Sequence, residues 1–260
     1  MTGYSESPSR PDALAVDMGA VYDDFAKAFR DADRLPTWRY AGKPAMERLL
    51  KSHLKAGIRF LDLGSASARV EAGVLLPSGV RPEDITGVEI SPDQVKMAQA
   101  RIPGATFLVG DISKPDLLAG EEGSFDVVFS HMVFEHLSDA QFMSTCRNAH
   151  RLLKPGGTFG FVVTHPDKMT DVAGNLVTTY GEFVTSAPWG GELHNWRRGV
   201  ESTLAVLKEV GFVIEETEHI GFPAAAPAGL SPEDQAEFDA NAKKYRQYPA
   251  IRLLVRARKA

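Results

Sequence analysis

From residue 59 onward, short apolar runs alternate with stretches whose apolar positions recur at helical spacing. The runs at 59–63, 85–90, 106–109, 125–130, 158–164, 212–218 and 251–257 have the length and continuity of buried strands. Between them, 66–75, 92–101, 140–153 and 200–210 read as helices. Ser91-Pro92 is an N-cap followed by proline at the first helical position, and Lys154-Pro155-Gly156 stops the helix before it. Strands alternating with helices predict βαβ units, hence an α/β fold with a doubly wound, mostly parallel sheet covered on both faces.

Ahead of this region, 20–30 places Val21, Phe25, Ala28 and Phe29 on one helical face, and 43–55 repeats the pattern with Met46, Leu49, Leu50 and Leu54. Residues 1–19, with Ser5, Ser7, Pro8 and Pro11, read as a flexible leader, and 20–56 as a helical cap on a single unit spanning 20–260. Two segments break the alternation. Residues 165–198 hold Tyr180, Trp189, His194 and Trp196 with little periodicity, and are expected to form a substrate lid, because those side chains are costly to leave in solvent. Residues 221–249 are rich in alanine and proline, then charged, and show no clear buried helix.

Composition narrows the function. Hydrophobic residues make up 43% and charged residues 24%, as in globular proteins, and no apolar run is long enough to span a bilayer. The polar start is unlike a secretory signal, so a cytoplasmic protein without a membrane partner is expected. With 29 basic and 34 acidic residues the net charge is −5, which argues against a nucleic-acid partner and leaves a small molecule. The single cysteine, Cys146, excludes a disulfide framework within the chain and sits inside a helix as a core residue.

The most informative segment is Phe60-Leu-Asp-Leu-Gly-Ser-Ala-Ser-Ala-Arg69. An apolar strand carries an acid near its end, and a turn of small residues opens a helix whose N–H groups can face a ligand. A dinucleotide fingerprint needs glycine at 64, 66 and 69, where the chain has Gly64, Ala66 and Arg69. A phosphate loop fails because no Gly-Lys-Ser/Thr follows. An adenosine ligand with a charged amino-acid tail fits best, since Asp62 suits an ammonium and repels a pyrophosphate.

Here the chain resembles the class I S-adenosylmethionine-dependent methyltransferases, over roughly residues 22–260. Residues 60–69 resemble that family's glycine-rich first motif. Gly87-Val-Glu-Ile-Ser91 resembles the end of its second strand, where an acid meets the ribose, and Val109-Gly-Asp-Ile112 its adenine-binding turn. Phe125-Asp-Val-Val-Phe-Ser130, with Glu135-His-Leu137, resembles the fourth strand and its exit. Leu152-Leu-Lys-Pro-Gly-Gly-Thr158 resembles the lead into the fifth. The resemblance implies seven strands with the last antiparallel, and S-adenosylmethionine as cofactor. It implies cofactor contacts from Tyr22 on the cap and from Asp62, Gly64, Ser65 and Ala66 on the first turn. Glu89 and Ile90, Asp111 and Ile112, and Ser130 and His131 follow on later strands. The chain departs from the pattern at Ala66 and Ala68, where the family has glycines; a methyl there is tolerated where φ stays negative but narrows the approach to the cofactor.

Methyl transfer needs a positioned nucleophile and a base to take its proton. The candidates are His131, Glu135, His136, His165 and His194, with His165 ending the fifth strand toward the same cavity and His194 beside Trp196 in the lid. No histidine pair has zinc-ligand spacing, so no metal is expected. Trp38-Arg39-Tyr40 offers a cation and aromatics for an anionic group, and Arg252-Leu-Leu-Val-Arg-Ala-Arg-Lys259 reads as a last strand with a solvated basic edge. The expected activity is methylation of a small molecule, on oxygen first among the acceptor atoms, by a chain that could form a homodimer. Two other readings remain open at this point: cyclisation or isomerisation on the same fold without methyl transfer, and a cofactor-binding regulatory module.

Overall fold

The structure is a computed structural model that describes residues 35–186 and 192–260. Nine strands lie within them: β1 (Phe60–Leu63), β2 (Ile85–Glu89), β3 (Thr106–Val109), β4 (Phe125–His131), β5 (Leu153–Thr164), β6 (Gly181–Ser186), β7 (Glu192–Arg197), β8 (Phe212–Ile220) and β9 (Arg252–Lys259). Seven form one sheet in the order β3-β2-β1-β4-β5-β9-β8. Strands β1 to β5 pair in parallel, and β9 runs antiparallel to both β5 and β8. The strand order reverses between β1 and β4, so the crevice beyond their carboxyl ends is where such a sheet takes a ligand.

Five helices cover the sheet: α1 (Lys43–Leu50), α2 (Pro92–Arg101), α3 (Asp139–Leu152), α4 (Val200–Val210) and α5 (Pro232–Tyr245). Their ends follow local chemistry. The Ser91 hydroxyl accepts from Gln94 N at the start of α2, and Ser138 and Gln141 form a reciprocal capping box on α3. Residue alternation along β5 then feeds two cores. Phe159 and Phe161 pack with Phe134, Phe142, Leu207 and Phe212 under α3 and α4. On the other face, Val162 joins Phe60, Phe129 and Leu254 under Met46, Leu49 and Leu50 of α1. Gly160 lets α1 settle this closely, since a Cβ there would lie 2.5 Å from Leu49 Cδ1.

Four expectations change. The helix expected over 66–75 begins at Arg69, after a turn, and widens to π spacing over Glu71–Leu75. Residues 165–198 are not structureless, because β6 and β7 pair as an antiparallel hairpin with Phe183 opposite Asn195. Its period-2 pattern was masked by polar residues on both faces. The segment 221–249 contains α5, which buries Phe238 and Ala242 against Tyr40, Phe222 and Ile251. Its buried stripe is only two residues wide, too narrow to register as an amphipathic face. Finally, β9 is an interior strand and Arg252 at its start is 5% exposed, so the solvated basic edge is confined to its far end. The leading helix over 20–30 and Trp189 lie outside the described residues.

The docking of α5 rests on one aromatic anchor. Phe238 is 5.0 Å from the Tyr40 ring and 5.2 Å from the Phe222 ring. Replacing Phe238 with alanine should cost about 3 kcal/mol in a denaturant titration, whereas Lys243→Ala on the exposed face should stay within about 0.5 kcal/mol. Equal effects would contradict this packing.

Candidate active site

The carboxyl ends of β1 to β5 open into a cavity of about 320 Å³. One half of its wall comes from the turn after β1 and the ends of β2 and β3. Asp62, Gly64, Ser65 and Ala66 lie beside Glu89 and Ile90, then Asp111 and Ile112. The other half comes from the exits of β4 and β5, the start of β9, and the hairpin. His131, Glu135 and His136 stand there with Thr164, Lys168 and Arg252. Phe183, Thr185, Leu193 and Asn195 of the hairpin close the cavity from above.

The first turn is held by steric fit and by carboxylates. Gly64 has φ +87° and a Cβ there would lie 2.4 Å from Val133, so no other residue fits. Ala66 and Ala68 also take positive φ, 45° and 61°, so the condition under which a methyl is tolerated there, a negative φ, is not met. An L residue in that region costs roughly 1–2 kcal/mol. At Ala68 the methyl is fully buried with Val95, Ala98, Ile102 and Phe107, and that burial, worth about 0.8 kcal/mol, offsets much of the cost. Glu89 fixes the turn to the next strand, accepting from Ala66 N at 3.0 Å through Oε2 and from Ser91 N at 2.9 Å through Oε1. Asp111 accepts from Ser113 N and Oγ through Oδ1.

Beneath the turn, Asp62, which the sequence singles out, lies beside a second buried acid, Glu71, which it does not. Asp62 is 2% exposed and Glu71 fully buried. Burial, with Glu71 and then Glu89 nearby, pushes the Asp62 carboxyl well up from its ordinary range. Burial raises Glu71 from an ordinary 4.5 to about 7. Asp62 Oδ1 has no hydrogen-bond partner among the described residues although it borders the cavity. Two desolvated carboxyls this close share a proton unless a cation reaches them.

On the opposite side, His136 Nδ1 lies 3.1 Å from the carbonyl oxygen of His194. A carbonyl only accepts, so Nδ1 carries a proton, and the lone pair of the neutral ring is then on Nε2. His131 is packed edge-on against Trp38 at 4.9 Å, and burial together with Arg69 and Arg252 pushes its pKa well down, so it stays neutral. Glu135 is buried; Oε1 accepts from Thr164 N and Oγ1, and Oε2 has no partner among the described residues.

The Methyltransferase domain family matches residues 61–161. An uncharacterised methyltransferase of Synechocystis is 30% identical over 185 residues, 70% of this chain and 80% of its own length. The chain is a class I S-adenosylmethionine-dependent methyltransferase. An arsenite methyltransferase of Aquipseudomonas alcaligenes is 28% identical over 65% of this chain, which spans about half (54%) of that relative's length. Among solved structures, the 4+2 cyclase SpnF shares the fold with a TM-score of 0.63 at 20% identity, covering 93% of this chain and 95% of that one.

This methyltransferase brings most of its anticipated site residues to one cavity, with several exceptions. Ser130 is buried behind the wall, where its hydroxyl donates to Leu63 O at 2.6 Å and ties β4 to β1. His165 lies outside the lining, its Nε2 2.8 Å from His219 Nδ1 and its Nδ1 accepting from Asp167 N. His194 turns its ring to Glu182 on the neighbouring strand and reaches the site only through its carbonyl. Tyr22 lies outside the described residues. Trp38 lines the cavity, but Arg39 is engaged by Asp234 and Glu237, and Tyr40 is buried against α5. Tyr180, just before β6, is 72% exposed with Arg197 over its ring, so the cost of leaving an aromatic in solvent does not account for its place. Among the described residues no three His, Cys, Asp or Glu side chains gather as a metal site, and no helix is long and apolar enough to cross a membrane.

The raised Glu71 pKa has a definite sign. The folded chain holds this proton to higher pH than the unfolded chain, so its contribution to stability is lost as pH rises from about 4.5 through about 7. Glu71→Gln should therefore stabilise the protein at pH 8 by about 1–3 kcal/mol, and by much less at pH 5. Thermal unfolding at the two pH values reads this directly, and an equal shift at both would contradict a buried, shared proton.

Proposed function

We propose that this methyltransferase acts on a hydroxyl of a small molecule held under the β6–β7 hairpin, with His136 as general base. The observation that carries the reading is the fixed tautomer of His136: its Nδ1 proton is committed to the His194 carbonyl, and a ring with its lone pair on Nε2 borders the cavity. A neutral imidazole of this kind takes the proton of a hydroxyl as the oxygen becomes nucleophilic. Glu135 and the neutral His131 flank it and shape the same wall.

The opposite half of the cavity fits the cofactor. Asp62 supplies a buried carboxyl oxygen, without a partner among the described residues, for an ammonium. Gly64 allows the close backbone approach, and Glu89, at the end of β2 on the cavity wall, can meet ribose hydroxyls. Asp111, whose Oδ1 closes a local turn and whose Oδ2 lies 3.7 Å from Lys114 Nζ, borders the same half, where its carboxylate can accept from an exocyclic amine. Ser65, Ala66, Ile90 and Ile112 wall the same half. When bound, S-adenosylmethionine supplies an electrophilic methyl; the chain's own task is to orient the acceptor, remove its proton and exclude water.

Arsenite, on which some relatives act, is a poor fit. Trivalent arsenic seeks thiolates, and the one cysteine of this chain, Cys146, is fully buried in α3 with its thiol pushed up by burial. The likeness to a cyclase shows a shared fold and brings no chemistry with it.

Incubation of the protein with a library of phenols and alcohols and trideuteromethyl-labelled S-adenosylmethionine should yield a labelled methyl ether. His136→Gln should lower its rate about 10²–10⁴-fold with cofactor binding unchanged. An unlabelled, isomerised product would favour the cyclisation reading, and full activity in His136→Gln would remove the assigned base.

A further inference from the structure

The geometry points to an anion-anchoring subsite in the acceptor half of the cavity, formed by Arg252 and Lys168 and fitted to an acceptor that carries a carboxylate or a phosphate. The inference rests on the methyl-transfer reading and names the class of molecule that the site takes.

Arg252 opens β9, in register with Thr164 on β5 and Ile220 on β8, so it stands in the sheet's interior at the same edge as the β4 and β5 exits. Arginine is rarely buried there without a carboxylate. Yet it is 5% exposed, its Nη1 donates only to the adjacent Ile251 carbonyl at 2.9 Å, and Nε has no partner among the described residues. Lys168 reaches the same wall from the 3₁₀ turn after β5, its ammonium 5.5 Å from the Tyr245 ring centroid. Burial, with Arg252 and Lys244 nearby, lowers its pKa to about 8.

No carboxylate among the described residues makes an ion pair with either cation within 4.0 Å. Glu135, the acid that influences both, has Oε1 occupied by Thr164. Two cations against one carboxylate leave the acceptor half positive, in a wall that also carries Met169, Phe183 and Leu193 beside Thr164, Thr185 and Asn195. A buried charge without a counter-ion is costly, and an incoming anion removes that cost. A guanidinium fork and an ammonium suit two oxygens of one anionic group.

The sheet order also separates this subsite from the cofactor's. Asp62, Glu89 and Asp111 stand at the ends of β1, β2 and β3, whereas Lys168 follows β5 and Arg252 opens β9, on the far side of β4. An anion held there leaves the rest of its molecule to extend toward His136 under the hairpin.

The test is a titration of the protein, first saturated with S-adenosylhomocysteine, with benzoate, phenyl phosphate and the neutral control benzamide. Benzoate or phenyl phosphate should bind at least about ten-fold more tightly than benzamide, and the tighter of the two identifies the anionic group. Arg252→Gln and Lys168→Met should each weaken that binding about ten-fold or more, and Arg252→Lys should restore part of it. S-adenosylhomocysteine affinity should be unchanged throughout, which also reports that each variant is folded. If Arg252→Gln does not fold, Lys168→Met decides alone. Equal binding of benzamide and the anions, or anion binding indifferent to the substitutions, would overturn the subsite. Failure of S-adenosylhomocysteine to bind the wild-type protein would instead overturn the methyl-transfer reading beneath it.

Discussion

A carboxyl buried at the end of a strand must keep its proton, find a cation, or destabilise the fold. Asp62 is such a group, beside Glu71 and under the turn that opens the cavity. The turn over it takes left-handed backbone at Gly64, Ala66 and Ala68, and Glu89 ties the turn to the end of β2 by accepting from Ala66 N and from Ser91 N. Those constraints keep a desolvated acid group on the wall of an open cavity, the place proposed for the cofactor's ammonium. The remaining wall is arranged around that fixed point by strand order.

The two halves of the cavity are electrostatically opposite. Three acids stand at the ends of the first three strands, and two cations with a neutral His131 stand across β4. The proposed cofactor, with its positive charge, and the inferred anionic acceptor would each meet the complementary half. That separation orders the two ligands in one cavity without any moving part being required. The hairpin contributes Phe183, Thr185, Leu193 and Asn195 to the same cavity wall.

The parallel core of the fold was legible because its strands are continuous apolar runs, and because Ser91-Pro92 and Lys154-Pro155-Gly156 mark helix ends that the structure keeps within a residue or two. Asp62, Glu89 and Asp111 could be placed from the same reading, since each sits at or just past the end of a strand. What stayed hidden depends on contacts distant in sequence. Glu71 looks like an ordinary helix acid until the turn carries it under Asp62. Arg252 looks like one more charge on a basic terminal strand until β8 and β5 close on either side of it. The hairpin and α5 were missed because they pack on few apolar residues, and His194 acts through its backbone, which no side-chain pattern reports.

The central claim is that an ammonium takes the place of the proton shared by Asp62 and Glu71. Isothermal titration of S-adenosylhomocysteine near pH 7, in two buffers of different ionisation enthalpy, measures it most directly. The account predicts one bound molecule per chain, with a heat that varies between the buffers by the amount expected for proton release. Binding whose heat is the same in both buffers, or no binding at millimolar ligand, would contradict it.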